Sequence, residues 1–275
     1  MDSQGLEEGS AVLDIAGASG EKAAMRILIL GGTTEAASLV RLLAGRPDFD
    51  VTLSLAGRTA APLALPVRTR IGGFGGADGL AAYLREHDIA ALIDATHPFA
   101  KVISRNAALA SREAGVPLLA IRRPAWTREP GDDWHEVDSV AEAVPALGDA
   151  PRRVFLTVGR LELAAFAAAP QHRYLVRTIE PVGDALPGID VTAIEARGPF
   201  GAAEDEDVMR RHGVERLVTK NSGGTATYGK IAAARALSLP VVIVRQPALP
   251  EVARVAQARD ALAWLEAHRA TDRGV

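Results

Sequence analysis

Apolar runs alternate with amphipathic segments along most of this chain. The first run, RILIL at 26–30, ends in two glycines, and an Ala/Leu-rich pattern follows at 36–44. An apolar run of this length that ends in glycine is typical of a buried parallel strand, and the pattern after it predicts a helix. Because the alternation recurs toward the carboxyl terminus, we predict an α/β fold with mainly parallel sheets between helices.

The alternation divides the chain into two halves of similar architecture. In the first half it predicts strands at 25–30, 51–56, 67–71, 89–94 and 117–121, with helices at 36–44, 80–87 and 102–114. In the second half it predicts strands at 154–158, 174–179, 191–196, 217–219 and 240–245, with helices at 161–168, 204–211, 226–237 and 252–268. We therefore predict an extension at 1–24 that is poorly ordered, a domain at 25–123, a connector at 124–150 and a second domain at 151–275.

The composition narrows the classes of function. Hydrophobic residues make up 48% and charged residues 24% of the 275 residues, as in an ordinary globular protein. The net charge of −3 and the lack of a basic run argue against nucleic-acid binding. The absence of cysteine excludes disulfides, thiolate catalysis and cysteine-ligated metals, and no metal site is expected. No apolar run has membrane-spanning length and the first residues lack a secretory pattern, so we expect a cytoplasmic protein with no membrane partner.

The turn after the first predicted strand is a candidate anion site. It contains Gly31, Gly32, Thr33 and Thr34 and leads directly into a predicted helix. The free amides and the dipole of a helix amino terminus attract phosphate, and glycines let a ligand approach the backbone. The spacing differs from the G-x-G-x-x-G dinucleotide pattern, so an ordinary tight turn is the alternative interpretation.

The end of the second predicted strand indicates which dinucleotide would bind. This position meets the adenosine ribose in a doubly wound domain, and NAD enzymes usually have an acidic residue there. The chain has Ser54, Arg58 and Thr59 instead. A cation with hydroxyl groups fits a 2′-phosphate, so NADPH is favoured over NADH; a solvated surface arginine is the alternative.

Two further segments are predicted to lie at the same edge of the sheet. A glycine-rich loop with Gly73, Phe74 and Gly75 follows the third strand, and Asp94, Thr96, His97 and Pro98 end the fourth. Ligands bind at the carboxyl ends of the strands in an open α/β sheet. Pro98 suits the first turn of a helix, which would place Thr96 and His97 at its amino end.

Cationic residues in the second half fall near the predicted carboxyl ends of strands. They are Arg160, Arg177, Arg197 and Lys220. A common rim of positive charge would suit a ligand with several carboxylates, whereas scattered surface charge is the alternative. Lys220 is followed by Asn221, Ser222, Gly223 and Gly224, which we interpret as a second glycine-rich helix start that can hold an anion.

The ordered set of motifs resembles the precorrin-6A reductase family of cobalamin biosynthesis. The motifs are GGTTE at 31–35, SLAGRT at 54–59, IGGFG at 71–75, DATHPFA at 94–100, RGPF at 197–200 and KNSGG at 220–224. The resemblance runs from residue 25 to about residue 267. It implies two Rossmann-like domains with the active site in the cleft between them, and NADPH-dependent reduction of one C=C bond of precorrin-6A to give precorrin-6B.

The resemblance also implies a role for each motif. Gly31 to Thr34 would hold the pyrophosphate, and Ser54, Arg58 and Thr59 the 2′-phosphate. The loop at 73–75 and the segment at 96–98 would lie near the nicotinamide. Arg197 and the loop at 220–224 would face the tetrapyrrole substrate, whose acetate and propionate groups need cations. Lys220 and His97 are the candidates to deliver a proton to the ring or to order the water that does, and solvent is the alternative acid.

Two other classes of protein fit parts of the sequence. A short-chain reductase would need a Tyr-x-x-x-Lys pair, but the residues four positions after Tyr83, Tyr174 and Tyr228 are His, Thr and Ala. An NADPH-binding sensor without turnover would not need the second anion-binding loop. The sequence leaves open whether the macrocycle already contains cobalt, and it leaves the oligomeric state open.

Overall fold

A computed structural model describes residues 23–57 and 63–271 and shows two sheets of six parallel strands each. The strands are β1 (Met25–Leu30), β2 (Phe49–Leu55), β3 (Arg68–Ile71), β4 (Ala91–Asp94), β5 (Leu118–Ile121), β6 (Trp134–Val137), β7 (Arg153–Thr157), β8 (Arg173–Thr178), β9 (Val191–Glu195), β10 (Arg216–Lys220), β11 (Val241–Val244) and β12 (Ala253–Val255). The helices are α1 (Thr34–Leu43), α2 (Gly76–Glu86), α3 (Lys101–Ala114), α4 (Val140–Ala143), α5 (Ala202–Arg211), α6 (Gly229–Ala236) and α7 (Ala258–Thr271).

The two sheets repeat one strand order. The first sheet runs β12-β5-β4-β1-β2-β3 and the second runs β6-β11-β10-β7-β8-β9. In each sheet the order reverses at one point, between β1 and β4 in the first and between β7 and β10 in the second. Such a switch point leaves a crevice at the carboxyl ends of the two strands, where ligands bind in open α/β sheets. The predicted α/β class with two Rossmann-like domains is therefore confirmed.

The two sheets exchange edge strands: each has one edge strand that comes, in the chain, directly after a strand of the other sheet. β6 follows β5 in the chain but pairs with β11, and β12 follows β11 but pairs with β5. The helix α7 then packs against α1 and the first core. The predicted connector at 124–150 thus contains a strand of the second sheet, and the last segment of the predicted second domain belongs to the first sheet.

The central strands of both sheets are buried on their two faces, which explains the apolar runs. The central strand β1 is buried at five of its six positions, and β4, β5 and β11 are buried throughout. Four apolar clusters result, two for each sheet. Parallel strands covered by helices on both sides must bury both sets of side chains, so they show no hydrophobic alternation.

Several predicted elements have different limits in the structure. The predicted helix at 161–168 is a 3₁₀ segment, and the predicted closing helix at 252–268 is a strand followed by α7. The predicted helix at 226–237 begins only at Gly229, after a turn. No helix in the two described ranges is long and apolar enough to cross a membrane. The predicted extension at 1–24 lies almost entirely outside the described residues.

Candidate active site

The turn after β1 combines close packing on one side with open space on the other. A side chain at Gly31 would meet Leu53 of β2, because the position of its Cβ lies 2.6 Å from the Leu53 Cδ1 atom. Gly32 has a φ of +110°, and no heavy atom lies within 4 Å of the position of its Cβ. A side chain at the first glycine would therefore need Leu53 to shift, and the second glycine leaves the backbone open on its other side.

The Thr33 hydroxyl fixes the start of α1. It accepts a hydrogen bond from the Ala36 amide at 3.2 Å and donates one to the Ala95 carbonyl oxygen at 2.7 Å. Thr34 is exposed and Glu35 follows it in the first helical turn. The Glu35 carboxylate is 3.2 Å from Arg123, so its negative charge beside the candidate phosphate site is balanced.

Arg70 is a candidate cofactor-binding residue that the sequence interpretation missed. Its guanidinium donates to the Ser54 hydroxyl at 2.8 Å and to the Gly73 carbonyl at 3.0 Å, and it stacks on the Phe74 ring at 3.8 Å. Gly75 caps α2 in a left-handed conformation with a φ of +79°. The loop at 73–75 is therefore attached to the end of β2 through one arginine.

The pairing of β2 with β3 could have indicated Arg70. The parallel register places Ser54 opposite Arg70, so an arginine near the end of the third strand belongs at the same edge. Arg58 and Thr59, which were predicted to bind the 2′-phosphate, lie outside the described residues. Among the described residues, Arg70 is the arginine that contacts Ser54 at the carboxyl end of β2.

A buried polar network holds the segment after β4. Asp94, which is 1% exposed, forms an ion pair with Arg122 and accepts from the Thr96 hydroxyl at 2.6 Å. Arg122 also donates to the Ser104 hydroxyl at 3.0 Å. The Thr96 hydroxyl is thus committed to Asp94, and Thr96 contributes to the position of the loop at 95–97.

The segment from His97 to Ala100 is a turn and not the start of a helix. The Phe99 amide donates to His97 Nδ1 at 3.2 Å, and the Ala100 amide donates to the His97 carbonyl oxygen at 2.8 Å. The predicted position of Pro98 in the first turn of a helix is wrong, because α3 begins at Lys101 and Pro98 is buried inside this turn. Since Nδ1 accepts, the neutral imidazole carries its proton on Nε2.

Lys220 lies at the switch point of the second sheet and faces the His97 turn. Its ammonium group forms an ion pair with Glu162, whose carboxylate also accepts from the Gly159 amide at 3.1 Å. The Nζ atom is 5.0 Å from the centroid of the Phe99 ring, and the Phe99 and His97 rings are 5.7 Å apart. The structure therefore brings the two predicted catalytic residues to facing loops of the two sheets.

Asn221 holds the segment that links the two sheets. Its side-chain oxygen accepts from the Trp126 amide at 2.7 Å, and its side-chain nitrogen donates to the Trp126 carbonyl oxygen at 2.9 Å. Ser222 is buried, and its amide donates to the Lys220 carbonyl oxygen at 2.8 Å in a tight turn. The Asn221 amide group thus fixes the backbone at Trp126.

The two glycines of this loop are required by close packing. Both have left-handed conformations, with φ of +66° at Gly223 and +67° at Gly224. A side chain at Gly223 would collide with the Pro124 carbonyl oxygen, and one at Gly224 would lie 2.8 Å from the Arg123 side chain. The interpretation of this loop as a helix start is wrong, because a turn at 226–228 separates it from α6.

The predicted rim of four cations is only partly present. Arg177 is 7% exposed and is therefore an interior residue. Its guanidinium pairs with the fully buried Asp205 and stacks on the Phe200 ring. Arg160 and Arg197 are exposed. The segment that contains Arg197 is attached to the loop after β10, because the Phe200 amide donates to the Ala226 carbonyl oxygen at 3.2 Å.

Comparison with known proteins identifies the family. Residues 26–266 match the family model described as "Precorrin-6x reductase CbiJ/CobK". The chain belongs to the precorrin-6x reductase family. It is therefore an oxidoreductase of cobalamin biosynthesis that reduces a C=C bond.

Individual members of the precorrin-6x reductase family are similar over nearly their whole length. The precorrin-6A reductase of Sinorhizobium sp is 54% identical over 87% of this chain and 94% of the relative. That of Rhodobacter capsulatus is 46% identical over 91% and 99%. The solved structure of the precorrin-6A reductase CobK is 45% identical, covers 89% of this chain and 97% of its own, and superposes with a TM-score of 0.85.

Membership of the precorrin-6x reductase family indicates which kind of ligand the switch point of the first sheet binds. A Rossmann-like reductase binds a nicotinamide cofactor, which supplies the hydride. The open backbone at Gly32 and the free amides at the start of α1 fit a diphosphate, and the Ser54–Arg70 pair fits a ribose substituent.

Proposed function

We propose that this chain uses NADPH to reduce one C=C bond of the precorrin-6A macrocycle, giving precorrin-6B. The observation that carries the proposal is the contact between the two switch points, where Lys220 of the second sheet lies over Phe99 of the first. A cofactor bound at the first switch point and an anionic macrocycle bound at the second would then meet in the cleft between the sheets.

The cofactor is assigned to four segments of the first half. Gly31 to Thr34 bind the diphosphate through main-chain amides. Ser54 and Arg70, together with Arg58 and Thr59, bind the 2′-phosphate; Arg70 is already held by the Gly72 and Gly73 carbonyl oxygens and stacks on Phe74. Held in this way, the guanidinium loses little freedom when an anion binds, which favours the phosphorylated cofactor.

The residues nearest the chemistry orient the reactants and handle the proton. The loop at 73–75 and Thr96 to Pro98 border the nicotinamide. Arg197 and the segment from Lys220 to Gly224 border the macrocycle, with Asn221 in a positioning role because its amide group is bound to Trp126. Lys220 and His97 are the candidates to supply the proton to the carbon next to the one that receives hydride.

The relatives support the cobalt-free form of the substrate. Curated relatives named precorrin-6A reductase share 42% to 54% identity with this chain. Those named cobalt-precorrin-6A reductase share 27% or 28%. We assign the cobalt-free macrocycle on this difference, and a side-by-side assay of the two forms of the substrate checks the assignment.

The experiment measures NADPH consumption on addition of precorrin-6A and compares NADPH with NADH. We expect turnover with NADPH, and a preference for NADPH that falls by about 10-fold or more in Arg70→Met, since a charged hydrogen bond to phosphate is lost. The matched control is Arg68→Met, an exposed arginine on the same strand, which should keep the preference. Binding of NADPH without consumption on adding precorrin-6A would contradict the proposal.

A further inference from the structure

Lys230 is a buried cation that the interpretation of the sequence did not single out. It is the second residue of α6 and only 4% exposed. The preceding residue, Gly229, lets the helix pack closely against the backbone at Phe200. A Cβ at this position would lie only 2.7 Å from the Phe200 carbonyl oxygen. The Lys230 Nζ atom lies 5.5 Å from the centroid of the Trp126 ring. The lysine is thus held inside the protein by a tightly packed helix start.

Lys230 lies next to the loop assigned to the substrate. Its neighbour Trp126 donates from the indole nitrogen to the Gly224 carbonyl oxygen at 2.6 Å and is bound through its backbone by Asn221. Of the cations that act electrostatically on the Lys230 ammonium, Arg123 packs against Gly224 and Lys220 begins the same loop. The ammonium group therefore lies close to the loop at 220–224, on the side of the second sheet.

Each of the three other cations around Lys230 has a carboxylate partner. Arg177 pairs with Asp205, Arg123 with Glu35 and Lys220 with Glu162. In the part of the chain that the structure describes, Lys230 has neither an ion pair nor a hydrogen bond on its amine; its close contact is the Trp126 ring. One positive charge in this group of four thus has no ion pair of its own, because Asp205, the carboxylate that acts on it, pairs with Arg177. A buried ammonium group is costly unless it is paired.

The surroundings change the proton affinity of this amine. Burial, and then the charge of Arg177, lower the pKa of Lys230 from 10.5 to about 7, with further lowering by Arg123 and Lys220 and an opposing effect of Asp205. A carboxylate placed against the amine would favour the charged form and raise the pKa again. Binding of an anion there would consequently be linked to uptake of a proton near neutral pH.

We propose that Lys230 is a substrate-binding residue whose amine takes up a proton as it binds a carboxylate of the macrocycle. The inference rests on the proposed function for the nature of the substrate. The proton goes from solvent to the neutral amine, and the resulting ammonium group pairs with the substrate carboxylate. Lys230 thereby supplies the fourth ion pair of the group, with the substrate as the partner that the chain lacks.

The experiment measures proton uptake and KM for precorrin-6A with two variants. Wild-type protein should take up about 0.5 proton per site at pH 7 on binding precorrin-6A, and nearly one at pH 8, as linkage at a pKa of about 7 requires. Lys230→Arg keeps the charge and cannot titrate in this range, so we expect a KM near that of wild type without this uptake. Lys230→Met should also lose the uptake, with KM raised by about 10-fold or more.

The controls separate this inference from general effects of charge and from the proposed function. Lys101→Met removes an exposed lysine in the first half and should leave KM and proton uptake unchanged. NADPH affinity should be the same in all variants. Uptake by Lys230→Arg equal to that of wild type would overturn the inference, as would an unchanged KM in Lys230→Met. Absence of turnover in wild-type protein would instead remove the proposed function.

Discussion

The Thr33 hydroxyl donates a hydrogen bond to the Ala95 carbonyl oxygen across the switch point of the first sheet, at 2.7 Å. The same hydroxyl accepts from the Ala36 amide and so caps α1. One side chain therefore joins the loop after β1 to the loop after β4. The two loops that would face a bound cofactor are held at a fixed separation by this threonine.

Removing the Thr33 hydroxyl should weaken both stability and cofactor binding. Thr33→Val keeps the shape of the side chain but loses the cap, which costs about 1 kcal/mol of the free energy of unfolding. The dissociation constant of NADPH should rise in the same variant, because the start of α1 loses its fixed position. Chemical denaturation and fluorescence titration measure the two effects. Thr33→Ser retains the hydroxyl and should resemble wild type in both; equal losses in Ser and Val would exclude this explanation.

Replacing Lys220 should reduce turnover and spare cofactor binding. We expect kcat to fall roughly 100-fold in Lys220→Ala if this residue delivers the ring proton, with NADPH affinity unchanged because the residue belongs to the second sheet. Glu162→Gln keeps an acceptor for the Gly159 amide and removes the counter-charge of Lys220, so a smaller loss is expected. Steady-state kinetics check both. A kcat of wild-type size in Lys220→Ala would remove this lysine from the chemistry.

A methyl group at Gly223 should destabilise the junction between the sheets. Gly223→Ala places a Cβ against the Pro124 carbonyl oxygen at a left-handed φ, and we expect a loss of about 2 kcal/mol or more in the free energy of unfolding. Gly201→Ala is the matched control, since Gly201 has a φ of −80° and no heavy atom within 4 Å of the position of its Cβ. Denaturation curves for the two variants should differ clearly. Similar curves would show that the loop moves away from Pro124 without cost.

The free energy of unfolding should decrease on acidification, and part of this decrease should depend on His172. This histidine is 1% exposed, and burial lowers its pKa below 6.5. A hydrogen bond to the Gly148 backbone opposes this shift, and the charges of Arg152 and Arg216 add to it. The unfolded chain then binds a proton that the folded chain does not, so the contribution is complete above pH 6.5 and is lost as the pH falls toward the folded-state pKa.

The measurement for His172 is the free energy of unfolding between pH 5 and pH 8. We expect the free energy of unfolding of wild type, minus that of His172→Leu, to decrease as the pH falls below about 6.5. The reason is that the leucine variant has no buried imidazole to protonate. A difference that stays constant over this range would contradict the assignment of the effect to His172.

The local sequence was sufficient for the elements of the first switch point. The run at 26–30 predicted a buried strand, and the glycines and threonines after it predicted a turn into a helix. The structure confirms both and shows that Thr33 caps this helix. The strands at 51–56 and 89–94 were recognisable for the same reason. Their carboxyl ends were correctly expected to share one edge, since the strands are parallel.

The residues that the sequence did not reveal depend on contacts between distant segments. Arg70 becomes informative only through its register with Ser54, and the interior position of Arg177 depends on Asp205, 28 residues further along. The strand Ala253–Val255 is short and contains an arginine, so nothing local distinguishes it from the amphipathic helix that follows. Which sheet such a strand joins is decided by the free edge beside β5 and not by its own three residues.

The exchange of β6 and β12 has a consequence for how the molecule can be divided. A protein cut after residue 123 would yield an amino-terminal fragment whose β5 has an unsatisfied edge and a carboxyl-terminal fragment carrying a surplus strand, so neither piece is self-sufficient. We therefore expect the two sheets to fold as one unit. Because the chain crosses between the sheets twice, at 122–133 and 245–252, we expect any movement of one sheet relative to the other to deform both crossings.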